Sequence, residues 1–237
     1  MQSLLYARDV RVNDYISVHV PTVREILEDE DRYFGTVSLV VSTPYDMMVQ
    51  LDDIGIDFTQ INEWQLFCMM FGSLKEHDTS LLFGDLDLGK FKLAINEKTN
   101  EQVLLDGETG HIIDRLVHDS IARTVRTILQ LEKNDKQPGN EEARKFMIER
   151  ARKKLKRAAR KGKKSSGIED LIISLVNTSE FPYNYESVLD ITIYQFYASL
   201  HQVCKRVSFD KTMIGCYAGT VKVSELSPDE RTWLKTK

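Results

Sequence analysis

Two histidines and a pair of carboxylates come closest to a metal-binding or catalytic arrangement in this sequence. His111 and His118 lie seven residues apart, on one face of a single predicted helix. A zinc site needs three or four converging ligands, and no third ligand is indicated. Asp85 and Asp87 lack the alternating oxygen ligands and the closing glutamate of a calcium-binding loop. We therefore expect surface or core histidines, a turn at the acidic pair, and no bound metal.

Known catalytic motifs are missing from the sequence. It contains no GxxxxGK[ST] phosphate loop, no GxGxxG after a strand, no GxSxG elbow and no HExxH. No serine or cysteine has a basic side chain at a sequence spacing that would identify the two as a nucleophile and its base. We therefore expect a protein that is not an enzyme and needs no cofactor.

The composition is that of a soluble globular protein. Hydrophobic residues make up 42% of the 237 positions and charged residues 29%, which excludes a wholly disordered chain. No apolar run approaches the ~20 residues of a membrane span, and the N-terminus lacks a signal peptide's apolar core. Cys68, Cys204 and Cys216 form no CxxC pair, so we expect reduced, mostly buried thiols in a cytosolic compartment.

The strongest charge feature is the basic run of residues 144–164. It holds twelve Lys and Arg residues and one acid, and so carries +11. Since the whole chain carries −4, all other residues together carry −15. Met147, Ala151, Leu155 and Ala158 recur at steps of four and three, which predicts a helix docked along at least its first half by a thin apolar stripe.

Three interpretations of this basic helix stay open. Its cations can form a solvated or self-docked face, as charge runs usually do. They can instead meet an acidic partner protein, including a second copy of the chain. They can also neutralise nucleic-acid phosphates, with an affinity that falls as salt rises, although the acidic character of the whole chain makes this third interpretation the least favoured. The candidate contact residues are Arg150, Lys153, Lys154, Arg157, Arg160 and Lys161.

Periodicity and capping patterns predict a helix-dominated chain with one hairpin. The alternation in residues 91–105 predicts two antiparallel strands with a turn at residues 98–100. Capping-box patterns at Thr22 and Thr192 each predict a helix start. Among the predicted helices are about 23–31, with a frayed acidic end; 61–71, capped by residues 57–59; 110–133, capped by Thr109; 168–176; and 193–206.

These elements group into three segments. Residues 1–133 form a mixed α/β module, residues 134–167 a linker and the basic helix, and residues 168–237 a mostly helical module. The polar stretch 134–140 contains Pro-Gly and is the best boundary, and residues 161–167 should be a flexible exit. We therefore expect a helix-dominated α+β fold, in which the basic helix connects a hairpin-containing N-terminal module to a helical C-terminal one.

Residues 43–74 and 171–202 resemble tail-morphogenesis proteins of tailed bacteriophages and related prophages. The second stretch is similar to the end of many tail assembly chaperones, where a helix is followed by two aromatics, a V-L-D-M-T segment and another helix. Here the aromatics are Tyr183 and Tyr185, and residues 188–192 read VLDIT, with Ile where Met is usual. The front half is longer than in the compact helical chaperones, which leaves a virion structural protein as an alternative.

The resemblance implies a non-enzymatic protein that coats the tape-measure protein and recruits tail-tube subunits in the host cytoplasm. A helix-binding protein needs an exposed apolar groove with polar rims. Aromatic side chains can line such a groove, although they dominate protein cores as well. The alternatives are a virion component and a nucleic-acid-binding protein that uses the basic helix, and a homo-oligomer is compatible with each. The candidate groove residues are Phe181, Tyr183, Tyr185, Tyr194 and Tyr197.

Overall fold

The computed structural model describes residues 3–97, 99–161 and 167–234. They form a helix-dominated α+β fold, as the sequence predicted. The strands are β1 (Asp9–Arg11), β2 (Ser17–His19), β3 (Phe91–Ile95), β4 (Gln102–Asp106) and β5 (Ile112–Ile113). The helices are α1 (Val23–Glu28), α2 (Glu30–Val41), α3 (Met48–Asp53), α4 (Glu63–Glu76), α5 (Ser80–Phe83), α6 (Arg115–Leu129), α7 (Glu141–Lys161), α8 (Ile168–Val176) and α9 (Ile193–Tyr217).

The strands form two small antiparallel sheets, one of β1 and β2 and one in the order β3-β4-β5. The predicted hairpin is confirmed, with Phe91 opposite Asp106 and Ile95 opposite Gln102. Asn100 takes a left-handed φ of 55° in its turn, a conformation that asparagine tolerates. The predicted turn residue Lys98 lies outside the described residues.

The long amphipathic helix begins five residues later than predicted, because Thr109 belongs to a turn. The Asp106 carboxylate accepts hydrogen bonds from the Glu108 amide at 2.9 Å and the Thr109 hydroxyl at 2.6 Å. This turn leads into β5, and Asp114 then caps α6 by accepting from the amide of Val117 at 2.9 Å. One of the predicted helix's two histidines therefore precedes the strand rather than lying on the helix.

The cap predicted for the core helix at residues 57–59 is wrong for a similar reason. The Asp57 carboxylate accepts from both the amide and the hydroxyl of Thr59, in a local turn. The helix starts instead at Asn62, whose side chain forms a capping box with Gln65. Both positions carry a residue suited to capping and a glutamine three residues later, but the structure forms the capping box only at Asn62.

The acidic residues expected to fray the end of the first helix begin a second helix instead. The Asp29 carboxylate accepts a hydrogen bond from the amide of Arg32 at 3.1 Å and caps α2. Glu30 and Asp31 then lie in the first turn of α2. Negative charge is unfavourable at the end of a helix but favourable at its start. The break after Glu28 therefore places these acidic residues where their charge stabilises a helix.

A single core cluster contains residues from both ends of the chain, such as Val37 and Phe71 from the front and Ile172 and Phe196 from the back. The two predicted capping boxes at Thr22 and Thr192 are confirmed, and these two residues form a β-bridge. The starts of α1 and α9 therefore lie side by side. Segments 1–133 and 168–237 share this core, and the domain boundaries stay a prediction.

The C-terminal part is more helical than predicted. α9 continues past Arg206 to Tyr217 and ends just before Gly219, which has a φ of +73°. Residues 220–222 then lead into a short 3-10 turn at Val223–Glu225. Within the described residues, no helix is both long enough and apolar enough to cross a membrane.

The cysteines depart from the expectation of mostly buried thiols. Cys68 is buried in α4, where burial raises the pKa of its thiol to about 11. Cys204 is exposed and Cys216 is half-buried, and both lie on α9. Much of α9 beyond Val203 faces solvent, which removes these two from the core.

Candidate functional site

An apolar groove of about 440 Å³ lies between α1, α8 and the 3-10 turn Ser187–Asp190. Two of its apolar side chains are largely open to solvent: Ile173 is 46% exposed and Tyr185 is 53% exposed. Exposed apolar surface that is gathered in a concavity marks a candidate binding site. The groove residues are Leu27, Glu169, Ile172, Ile173, Tyr185 and Leu189.

Local hydrogen bonds fix the two walls of the groove. The first amide of α8, at Ile168, donates to the Glu30 carboxylate at 2.9 Å, which ties α8 to α2. On the other wall, the Asn184 side-chain oxygen accepts from the amides of Glu186 and Ser187 at 2.9 and 2.8 Å and shapes the turn. Tyr185 is held at the groove because its hydroxyl accepts from the Asn177 side chain at 3.0 Å.

The rim of the groove is acidic. Glu169 lines it directly, and Glu186 and Asp190 flank its residues Tyr185 and Leu189 in sequence. Asp190 pairs with Arg24 at 2.9 Å. Glu169 and Glu186 make no ion pair with any residue that the structure describes. The groove therefore offers an apolar floor beside carboxylates that are free to meet a cationic partner.

The five aromatics predicted to line one groove lie in three different places. Tyr185 is the one that lines the apolar groove. Phe181 is buried and packs on Tyr183, with ring centroids 5.2 Å apart. Tyr194 lines a separate polar cleft, and Tyr197 is half-buried beside Phe196, where burial raises the pKa of its hydroxyl. Their role in partner binding stays a prediction.

The polar cleft beside Tyr194 is built around a cluster of charges. The Glu63 carboxylate pairs with Arg126 at 2.8 Å and with Lys133. Burial would raise the pKa of Glu63, but hydrogen bonds from Lys133 and Arg126 hold it below its usual range. Arg126 also donates to the main-chain oxygen of Val41. The charge of Glu63 is thus balanced by partners within the cluster, which is typical of a structural ion cluster rather than of a reactive group.

The two histidines that were predicted to share one helix face lie on different elements and do not form a metal site. His111 lies in the turn before β5 and stacks on Tyr15, with ring centroids 4.0 Å apart. His118 is buried on α6 beside Phe67, and burial lowers its pKa. Among the described residues, no group of three or more His, Cys, Asp and Glu is placed to hold a metal ion.

The basic helix α7 docks through its first half. Ile148 is buried in a small second core cluster with Leu51 and Phe58, and Met147 and Ala151 pack against that cluster. The predicted stripe missed Ile148 and extended too far, since Leu155 is 49% exposed and Ala158 is also exposed. Periodicity shows which residues share a face, but it does not show where the surface beneath them ends.

Ion pairs reinforce this docked half. Arg152 donates to Asp53 at 2.7 Å and to Asp52 at 2.9 Å, and these contacts raise the pKa of its guanidinium. Arg144 pairs with Asp57 at 3.3 Å. Asp52, Asp53 and Asp57 are thus each paired with an arginine of α7.

The second half of α7 has a different environment. Residues 153–160 are exposed on every side. Of the predicted contact residues, Lys153 pairs with Glu149 at 3.7 Å. The side chain of Lys161 and residues 162–166, which include most of the predicted flexible exit, lie outside the described part of the chain. The remaining contact residues, which are exposed and make no ion pair within the described part, are Arg150, Lys154, Arg157 and Arg160.

Comparison with known families gives a match over the C-terminal part of the chain. Residues 161–236 match the model of a family described as the YomV second domain. This family is phage-derived, of the kind carried by SPbeta-like prophages of Bacillus, and the match supports a phage protein. The matched stretch contains all of the groove residues named above except Leu27. No curated protein and no solved structure matches the chain.

Proposed function

We propose that this chain is a non-enzymatic phage protein that assists tail assembly by binding other proteins. In this role it acts as a tail assembly chaperone for the tape-measure and tail-tube proteins. The observation that carries the proposal is the apolar groove between α1, α8 and the turn Ser187–Asp190, most of which belongs to the stretch that matches a phage family. The sequence resemblance of residues 171–202 to tail assembly chaperones supports the same role.

The groove has the features that a helix-binding surface requires. An amphipathic helix binds by laying apolar side chains, spaced three and four residues apart, into an apolar groove. Ile173 and Tyr185 supply exposed apolar surface, while Leu27 and Ile172 form the floor. Because the side chains of the groove are held by α8 and by the Asn184 turn, little ordering is needed on binding, and this favours affinity.

The acidic rim defines the partner more closely. A helix that enters the groove brings its flanking side chains next to Glu169, which lines the groove, and towards the segment that carries Glu186. Opposite charges across an interface steer association and fix the orientation of the partner. We therefore expect the bound segment of the tape-measure protein to be an amphipathic helix with Lys or Arg beside its apolar face.

Co-expression with the tape-measure protein of the same phage genome tests this proposal. The wild-type chain should keep that protein soluble and monodisperse, and the two should co-purify. The double variant Ile173→Gln/Tyr185→Ser removes the exposed apolar surface of the groove and should weaken binding about tenfold or more. The matched control, Ile214→Gln/Tyr217→Ser, changes the same residue types at exposed positions on α9 and should bind as the wild type does.

Two outcomes would count against the proposal. If the tape-measure protein is equally soluble and monodisperse without this chain, the chaperone role fails. If the groove variant and the α9 variant bind equally well, the groove is not the binding site. Circular dichroism of both variants checks that each one is folded.

A further inference from the structure

We propose that the outward face of α7 binds nucleic acid through its phosphates, without reading base sequence. This surface is distinct from the groove, and the inference does not depend on the chaperone role. The face consists of six cationic side chains, all of them exposed: Arg150, Lys153, Lys154, Lys156, Arg157 and Arg160.

These cations form one continuous surface. With about 100° of rotation per residue of an α-helix, the six side chains fall within an arc of about 160°. The opposite arc holds the residues that dock α7 on the body, among them Ile148 and Ala151. Because the two arcs are separate, docking leaves the cationic face uncovered along its whole length.

Most of the charge of this face is not neutralised by the described part of the chain, in which Lys153 pairs with Glu149 at 3.7 Å. Lys154, Lys156, Arg157 and Arg160 make no ion pair within the part of the chain that the structure describes. By contrast, Arg144 and Arg152 on the docked side are paired with Asp57 and with Asp52 and Asp53. The acids of the body that pair with α7 therefore lie on its docked side, and five of the six cations on the outward side make no ion pair within the described residues.

The dimensions of the face suit a polyphosphate. Arg150 and Arg160 are about 15 Å apart along the helix axis at 1.5 Å per residue. One strand of duplex DNA presents a phosphate about every 3.4 Å of axis, so the face spans about four phosphates. The second half of α7, residues 153–160, is an exposed helix, and a helix fits the major groove, which is about 12 Å wide.

The net negative charge of the chain does not prevent this binding. The Debye length is about 8 Å at physiological ionic strength, whereas residues 153–160 extend over about 12 Å of helix. A nucleic acid at the far end of α7 is thus largely screened from the acidic body. A dense, regular row of negative charges matches six adjacent cations better than the scattered carboxylates of a second copy of this chain.

Fluorescence anisotropy with labelled duplex and single-stranded oligonucleotides tests the proposal on the full chain. If about four phosphates are contacted, the Kd for duplex DNA should rise about a hundredfold between about 50 mM and about 200 mM salt. A variant without four of the cations should bind at least about tenfold more weakly at the lower salt concentration and show a smaller salt dependence. Its substitutions are Lys154→Gln, Lys156→Gln, Arg157→Gln and Arg160→Gln.

A charge-matched control distinguishes the contribution of this face from that of the net charge of the chain. It removes two Lys and two Arg that are exposed and make no ion pair within the described residues, and it should bind within about twofold of the wild type. Its substitutions are Arg8→Gln, Lys92→Gln, Arg115→Gln and Lys211→Gln. Because glutamine is a good helix former, α7 should remain helical in the first variant, which circular dichroism verifies.

Three results would overturn the proposal. The first is a wild-type chain that does not bind either oligonucleotide at low salt. The second is an equal loss of binding in the control variant. The third is an oligomer, seen by analytical ultracentrifugation, that the α7 variant loses while oligonucleotide binding is unchanged, since this would assign the face to a second copy of the chain.

Discussion

The two halves of α7 share one sequence pattern but differ in environment. In the first half, up to Arg152, Ile148 is 6% exposed and two arginines are paired with aspartates of the body. In the second half, from Lys153 onward, every side chain from 153 to 160 is exposed. The same combination of a cationic face and a thin apolar stripe is thus a packing element in one half and a free surface in the other.

This difference shows that a charge run does not have a single role. Cations that face Asp52, Asp53 and Asp57 stabilise the position of α7 on the body. Cations beyond them have no such partner within the described residues and are available to a ligand. Single substitutions in each half test whether the boundary lies near Arg152.

The largest effect is expected from the apolar anchor of the docked half. Ile148→Ala removes buried methyl groups next to Leu51 and Phe58 and should lower the free energy of unfolding by about 2–4 kcal/mol. Leu155→Ala truncates a side chain that is half exposed and should change the free energy of unfolding by less than about 0.5 kcal/mol. Urea unfolding of both variants measures the difference, and equal losses would mean that the docked region extends to Leu155.

A smaller effect is expected from the ion pairs. Arg152→Gln should lower the Tm, because it removes two hydrogen bonds and leaves Asp52 and Asp53 without their shared cation. Arg157→Gln, five residues later, should leave the Tm unchanged or raise it, because it relieves repulsion among neighbouring cations. Differential scanning calorimetry at low and high salt checks both, and the difference between the variants should shrink as salt rises.

The smallest effect is expected from pH. Hydrogen bonds from Thr59, together with the charge of Arg144, lower the pKa of Asp57 from its usual 3.8. A carboxylate with a lowered pKa stabilises the folded state above its unfolded pKa, and this stability is lost as pH falls through the folded value. The stability difference between the wild type and Asp57→Asn should therefore be constant above about pH 5. It should shrink towards zero below pH 3.8.

Urea midpoints measured across this pH range provide the check for Asp57. Asp135→Asn serves as the control, since Asp135 is exposed and makes no ion pair within the described residues. If Asp135→Asn shows the same pH-dependent difference in stability from the wild type, the effect comes from general charge rather than from the contact with Arg144.

Local patterns predicted several elements correctly. The capping boxes at Thr22 and Thr192 and the hairpin of β3 and β4 depend on residues close together in sequence, so their types and spacing suffice. Asp57 and Thr109 were wrongly predicted as helix caps because each has an alternative partner two or three residues away. The choice between a turn and a helix start at such a residue depends on how the neighbouring segments pack in the folded chain.

The candidate groove could be predicted only in part. Tyr185 was identified from the aromatic turn, but Leu27 and Ile173 were not, because they come from α1 and from the solvent side of α8. Phe181 and Tyr194 have the same aromatic character as Tyr185 and lie in the core and in a different cleft. Residue type therefore indicated apolar surface, while the packing of α1 against α8 decided which residues face one cavity.

For α7 the sequence alone determined that a helix forms and that its cations share one face, because both result from a period of 3.6 residues. It did not determine where docking ends. That boundary depends on Asp52, Asp53 and the cluster around Phe58, which lie about ninety to a hundred positions earlier in the chain. Only the tertiary structure brings these residues under Ile148 and Arg152, and it leaves the helix beyond them without a surface to pack on.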